Sequence, residues 1–62
     1  MDVVYGDKKW SFETELTVAE LLKKMGLSRE PVLVMADGKI IEKKDIIRKN
    51  SKVLIINAAN GG

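Results

Sequence analysis

The chain has 62 residues, of which 45% are hydrophobic and 32% are charged, and its formal net charge at pH 7 is +2. A chain of this length folds as one domain around a single small core, with no room for an internal catalytic cleft of ordinary size. The sequence contains neither cysteine nor histidine, which excludes disulfides, thiolate nucleophiles, and the commonest general base and metal ligand.

The first predicted element is a β-hairpin. Residues 1–5 are predicted to form a strand, and Gly6 supplies the chemistry of a tight turn. Residues 8–13 are predicted to form the second strand, because Trp10 and Phe12 alternate there with polar residues. This alternation indicates a hairpin with one buried face.

An amphipathic helix of about eight residues is predicted next. Thr17 is its N-cap, because Glu20 three residues later completes a capping box. The apolar residues at the spacing of one helical face are Val18, Leu21, Leu22 and Met25. Gly26 stands where a helix ends in the left-handed conformation, and Leu27 can pack back onto the last turn.

A second hairpin follows Pro31. Residues 32–36 are predicted to form a strand, and Asp37-Gly38 is a strong hairpin signal that leads into a further strand over residues 39–42. The two strands of this hairpin are therefore expected to pair.

The last part of the chain contains a charged segment and one more strand. In residues 43–50 the apolar residues are Ile46 and Ile47. We predict a loop or a single helical turn for this segment. A final strand over residues 52–57 runs into a terminal tail. The element order predicts an α+β fold in which a mixed five-stranded sheet packs on one helix, with the first and last strands parallel at its centre. The expected organisation is a domain over residues 1–57 and a flexible tail over residues 58–62.

One helix covers only one face of such a sheet, yet two predicted strands are apolar at consecutive positions. Regular alternation places four of these residues toward the helix: Val32, Val34, Val53 and Ile55. The other four then face outward: Leu33, Met35, Leu54 and Ile56. If the two strands are neighbours, the outward residues form a contiguous apolar patch of the kind that marks protein interfaces. The alternative is scattered surface hydrophobes, which are normal.

The charged residues suggest no catalytic constellation. Glu13 and Glu15 flank a predicted turn, where a solvated surface is the simpler interpretation. The basic residues of the segment 43–52 are the one positive cluster of the sequence: Lys43, Lys44, Arg48, Lys49 and Lys52. A solvated loop is the first interpretation of this cluster, and a patch that binds RNA or protein is the alternative. Direct binding of nucleic acid is not expected, because eleven basic residues are balanced by nine acidic ones.

The terminus is the unusual chemical feature of the chain. Residues 58–62 carry no bulky side chain and end on Gly61-Gly62 with a free carboxylate. Fully extended, they reach about 17 Å beyond the last strand at roughly 3.4 Å per residue. Such a tail can enter a narrow channel and deliver its carboxylate to an enzyme that activates it.

The complete pattern resembles the ubiquitin-like sulfur carriers of the ThiS/MoaD family and is nearer to ThiS in length. The resemblance depends on the strand and helix order, on TVAELL from Thr17, on DGKII from Asp37, and on the terminal Gly61-Gly62. It covers the whole chain. It implies a β-grasp (ubiquitin-like) fold and a carrier that is not itself an enzyme.

The resemblance also implies roles for particular residues. Gly62 is the residue that a partner adenylates and converts to a thiocarboxylate, and Gly61 admits it to the partner's active site. The outward patch and the tail residues Ala58, Ala59 and Asn60 are expected to contact the partner. The chain itself is expected to bind no cofactor and no metal, because ATP and magnesium are used by the activating enzyme.

The implied partners are an adenylating enzyme of the ubiquitin-activating type, a persulfide sulfur donor and a synthase that accepts the sulfur. Thiamine thiazole synthesis is the first expectation for the pathway, with molybdopterin synthesis and tRNA thiolation as alternatives. Related small archaeal modifiers are also joined to lysines, so a protein-modifier role stays open. Because no apolar run approaches about 18 residues and the chain opens on a strand pattern, we expect no membrane segment, a cytoplasmic location and a monomer when free.

Overall fold

The computed structural model describes residues 1–58. Along these residues the elements follow one another in this order: β1 (Asp2–Tyr5), β2 (Lys8–Ser11), β3 (Leu16–Thr17), α1 (Val18–Lys24), β4 (Val32–Ala36), β5 (Lys39–Ile41), β6 (Ile46–Ile47) and β7 (Lys52–Asn57). The predicted α+β class is confirmed. The strands of the first hairpin are shorter than predicted, because β1 begins at Asp2 and β2 ends at Ser11.

The main sheet has five strands in the order β2-β1-β7-β4-β5. Strands β1 and β7 are parallel, and the other neighbours are antiparallel. This arrangement confirms the prediction that the first and last main strands pair in parallel. Since β7 is the central strand, both of its edges are occupied by neighbours.

Both hairpin turns have the backbone that their sequences predict. Gly6 has a φ of 63° in the first turn, and in the second turn Asp37 has a φ of 50° and Gly38 a φ of 85°. Two successive residues with positive φ are the signature of the type I′ turn, whose twist matches that of the flanking strands. Aspartate is among the few residues other than glycine that tolerate this conformation.

Helix α1 begins and ends as the sequence predicts. The Glu20 amide donates to Thr17 Oγ1 at 3.1 Å, and the Thr17 amide donates to Glu20 Oε1 at 2.8 Å, which completes the capping box. These hydrogen bonds lower the pKa of Glu20. At the other end Gly26 has a φ of 73°, and the Leu27 amide donates to the Leu22 carbonyl at 2.8 Å. This is the Schellman arrangement, and Leu27 packs against the core as expected.

The prediction of a loop or helical turn over residues 43–50 was wrong for two of its residues. Ile46–Ile47 forms strand β6, which pairs with β3 in a small second sheet. Ile47 is 1% exposed and is one of the largest fully buried side chains. A two-residue strand has no detectable period, so this pairing comes from long-range contact and not from local propensity. The Asp45 carbonyl also accepts from the Val18 amide at 3.0 Å, which ties this segment to the start of α1.

The core lies between α1 and one face of the main sheet. Its fully buried residues come from the sheet, the helix and the short strand β6: Val3, Val18, Leu21, Ile47 and Ile55. Tyr5 and Trp10 are half-buried and pack against this core. The opposite face of the sheet has no covering element among residues 1–58.

Candidate functional site

The alternation predicted for the two apolar strands is confirmed. Val34, Val53 and Ile55 are buried toward the helix, and Val32 is half-buried. On the opposite face Leu33 is 44% exposed, Leu54 is 43% exposed and Ile56 is 41% exposed, while Met35 is half-buried. An uninterrupted alternation shows that no β-bulge reverses the faces of these strands.

The register makes the outward residues contiguous. In the antiparallel pairing of β4 with β7, Leu33 lies opposite Ile56 and Met35 lies opposite Leu54. Side chains in directly opposite positions on one face lie within contact range of each other. The four predicted residues therefore form one patch.

Two further residues extend this patch and were missed in the sequence. Val4 lies opposite Leu54 on β1, and Ile40 lies opposite Met35 on β5, where it is 65% exposed. We call the resulting set the docking face: Val4, Leu33, Met35, Ile40, Leu54 and Ile56. The sequence did contain a sign of both residues, because each strand has two adjacent apolar residues, Val3-Val4 and Ile40-Ile41. Successive side chains of a strand point to opposite faces, so one residue of each pair must face outward.

A shallow depression of about 450 Å³ lies on the docking face. Val4, Met35 and Leu54 line it, and the Asp37-Gly38 turn and Lys52 form one of its walls. Lys52 Nζ has no ion-pair partner within residues 1–58, where the one ion pair joins Lys44 and Glu42 at 3.7 Å. The depression thus combines an apolar floor with the positive charge of Lys52 at its rim.

Asp37 holds the wall of this depression in place. Its Oδ1 accepts from the Lys52 amide at 3.0 Å, and its own amide donates to the Lys52 carbonyl at 2.9 Å. The hydrogen bond from the Lys52 backbone, followed by one from the Ser51 side chain and the Lys52 charge, lowers the pKa of Asp37 below its ordinary value of 3.8. The ionised carboxylate therefore binds the hairpin turn to the start of β7.

Acid should remove this contribution to stability. Because the pKa of Asp37 is lower in the folded chain than in the unfolded one, the carboxylate stabilises the fold above pH 3.8 and loses this effect as the pH falls through the folded value. Asp37→Asn keeps the turn-compatible amide but cannot ionise. We expect urea unfolding to show wild type as the more stable protein at about pH 6, with the difference shrinking toward about pH 2.5. A difference that stays constant across this range would contradict the role given to the charge.

The tail leaves the fold at the end of β7. The Ala58 amide donates to the Pro31 carbonyl at 2.7 Å, one residue beyond the last strand pair, Val32 with Asn57. Leu33 and Ile56 are the next pair along, so this end of the sheet is continuous with the docking face. The candidate residues Ala59, Asn60, Gly61 and Gly62 lie outside the described residues, and their roles stay predictions.

The basic residues of the segment 43–52 do not form a single patch. The Lys43 carbonyl accepts from the Ala19 amide at 3.1 Å, on the helix side of the molecule. Lys52, by contrast, borders the depression on the docking face, and Lys44 is paired with Glu42. Binding of RNA or protein by these residues stays a prediction. Among residues 1–58 there is also no cluster of acidic residues suited to hold a metal ion.

Comparison with known families agrees with this architecture. The sequence pattern of the ThiS family matches residues 2–62, which is nearly the whole chain. The chain belongs to the ThiS family. Members of the ThiS family have the β-grasp fold, so the mixed sheet on one helix is the family's architecture in this chain. No curated protein matches the sequence.

Membership of the ThiS family establishes the general role. ThiS family proteins are small sulfur carriers rather than enzymes, and they work with activating enzymes and with sulfur-transfer enzymes. The described part of the chain contains no helix that is long and apolar enough to cross a membrane.

Proposed function

We propose that this chain is a sulfur carrier for the synthesis of the thiamine thiazole, and that its reactive group is the carboxylate of Gly62. The observation on which the proposal depends is the match to the ThiS family through the terminal Gly61-Gly62. The absence of cysteine and histidine from the sequence supports it, because the reactive thiol and the general base are then supplied by partners.

The proposed chemistry begins with activation, since a carboxylate is a poor electrophile. A Gly62 oxygen attacks the α-phosphorus of ATP on the activating enzyme, and pyrophosphate leaves with its electron pair to give an acyl adenylate. Sulfur from a cysteine persulfide then displaces AMP, and cleavage of the resulting sulfur–sulfur bond by a partner thiol leaves the thiocarboxylate. ATP and magnesium belong to the activating enzyme in this scheme, and the synthase receives the sulfur.

The proposed division of labour follows the domain organisation. Residues 1–57 supply a rigid, monomeric body with the docking face, and residues 58–62 deliver the carboxylate. Ala58 joins the body to this tail, Ala59 and Asn60 are small enough to pass through a narrow channel, and Gly61 lets the backbone approach the nucleotide closely. The docking face suits a partner with an apolar surface, because an uncovered contiguous apolar patch commonly marks an interface.

Leu54→Lys tests the docking role, because Leu54 is at the centre of the docking face. The substitution places a charge in an interface that must exclude water, so we expect KM for the carrier to rise about tenfold or more. The measurement is ATP–pyrophosphate exchange by the activating enzyme as a function of carrier concentration. Ile46→Lys is the matched control, since Ile46 is 64% exposed but belongs to the small second sheet.

The control variant should keep the wild-type KM, and both variants should keep the wild-type free energy of unfolding within about 0.5 kcal/mol, as is usual for surface positions. Equal effects of the two substitutions on KM would show that added charge, and not the docking face, is responsible. A wild-type KM for Leu54→Lys would remove the docking face from the proposal.

A further inference from the structure

The point at which the tail leaves the fold is fixed by one backbone hydrogen bond. The Ala58 amide donates to the Pro31 carbonyl at 2.7 Å. This bond lies beyond the register of β4 with β7, whose last pair is Val32 with Asn57. It therefore extends the ordered path of the chain by one residue past the sheet.

The acceptor of this bond is held by the loop that precedes β4. The Val32 amide donates to the Glu30 carbonyl at 2.9 Å, and the Glu30 amide donates to the Leu27 carbonyl at 3.0 Å. The first of these bonds closes a three-residue γ-turn centred on Pro31, and the second closes the turn before it. The proline ring fixes φ near the value that such a turn requires. The Pro31 carbonyl is thus oriented by local geometry before Ala58 binds to it.

We infer that Pro31 and the Ala58 amide form a clamp that sets where and in which direction the tail leaves, and that the clamp positions Gly62 for the activating enzyme. The inference rests on the proposed function. With Ala58 held, the free reach is that of residues 59–62, about 14 Å at roughly 3.4 Å per residue. Productive binding then requires the nucleotide of the partner to lie within this distance of the clamp.

Loss of the clamp should lower the rate of activation without weakening docking. A bound carrier whose tail leaves in a variable direction spends less time with its carboxylate at the nucleotide, which is a loss of orientation. The docking face contains neither Pro31 nor Ala58, so KM should change much less than kcat. Pro31 and Ala58 are positioning residues in this account, because neither contacts the reacting atoms.

Three single variants test the clamp by ATP–pyrophosphate exchange with the intact chain and its activating enzyme. Ala58→Pro removes the donor, and the extended strand before it is compatible with proline. Pro31→Gly frees the turn that orients the acceptor. Ala58→Ser keeps the amide and is the matched control.

We expect kcat to fall about three- to tenfold in Ala58→Pro and in Pro31→Gly, the range that corresponds to one net backbone hydrogen bond. In Ala58→Ser the amide at position 58 should exchange as slowly as in wild type, because the donor is kept. The kcat of the double variant, Pro31→Gly with Ala58→Pro, should be no lower than the kcat of the less active single variant, because both substitutions act on the same contact. Amide hydrogen exchange gives an independent readout: the Ala58 amide should exchange more slowly in wild type than in Pro31→Gly.

The clamp is overturned if the Ala58 amide of wild type exchanges as fast as an unstructured peptide. It is also overturned if both single variants keep kcat within twofold of wild type, or if KM rises while kcat is unchanged. These outcomes leave the proposed function intact, because wild type is still activated. Failure of wild type itself with a demonstrably active enzyme would instead defeat the proposed function and the clamp together.

Discussion

Deletion of Gly62 is expected to abolish activation by the partner enzyme while leaving the free energy of unfolding unchanged. Removing one residue withdraws the carboxylate by about 3.4 Å, and a displacement of that size takes the nucleophile out of reach of the phosphorus. Stability should not change, because all buried residues found in the described chain lie between Met1 and Ile55. Pyrophosphate exchange and urea unfolding measure the two expectations separately.

Gly62→Ala is the control for this deletion. It keeps the carboxylate at its original distance and adds a single methyl group, so measurable activation should remain, at a reduced rate. Activation of the deleted chain at the wild-type rate would contradict the assignment of Gly62. A large loss of stability on deletion would show that the terminus has a structural role that the described core does not suggest.

Leu21→Ala is expected to have the largest effect on stability, with a loss of about 2–5 kcal/mol. Leu21 is fully buried, with 0% exposure, at the centre of the contact between α1 and the sheet. A domain of this length has a total stability of about 3–9 kcal/mol, so the substitution removes much of it. Urea unfolding at neutral pH provides the measurement.

Leu33→Ala removes the same atoms from the opposite face of the sheet, where the side chain is 44% exposed. Its cost in stability should stay below about 1 kcal/mol. In the proposed function this variant should instead raise KM for activation. Similar losses of stability at both leucines would contradict the division of the sheet into a buried face and a docking face.

The elements that were predicted correctly from the sequence are those with strong local signals. The capping box at Thr17 and the left-handed Gly26 define the ends of α1 through hydrogen bonds to residues within a few positions. The Asp37-Gly38 turn likewise needs only its own two residues to adopt positive φ. In β4 and β7 the side chains alternate between the two faces of the sheet. Because the helix covers one of these faces, the alternation determined which residues face outward.

The features that were missed depend on contacts between distant parts of the chain. Strand β6 exists because Ile46–Ile47 meets Leu16–Thr17, about 30 residues earlier, and two residues carry no period of their own. The extension of the docking face to Val4 and Ile40 required the strand order and register. The contact of Ala58 with Pro31 also joins distant positions, and no local pattern at either residue indicates it.

The docking face and the tail exit lie together because of the sheet topology. Strand β7 is both the central strand and the last one, so the terminus emerges at the end of the strand that supplies Leu54 and Ile56. A partner that covers this face therefore has the terminus within about 14 Å of the clamp. In the proposed function, this arrangement lets the chain present its terminal carboxylate to the activating enzyme.

The most direct test of the sulfur-carrier account is the intact mass of the chain after incubation with its activating enzyme, ATP, magnesium and a persulfide sulfur donor. Exchange of one carboxylate oxygen for sulfur predicts a gain of about 16 Da on wild type, no gain without ATP, and no gain after deletion of Gly62. An unchanged mass of wild type, with an activating enzyme shown to be active on another carrier, would contradict the account.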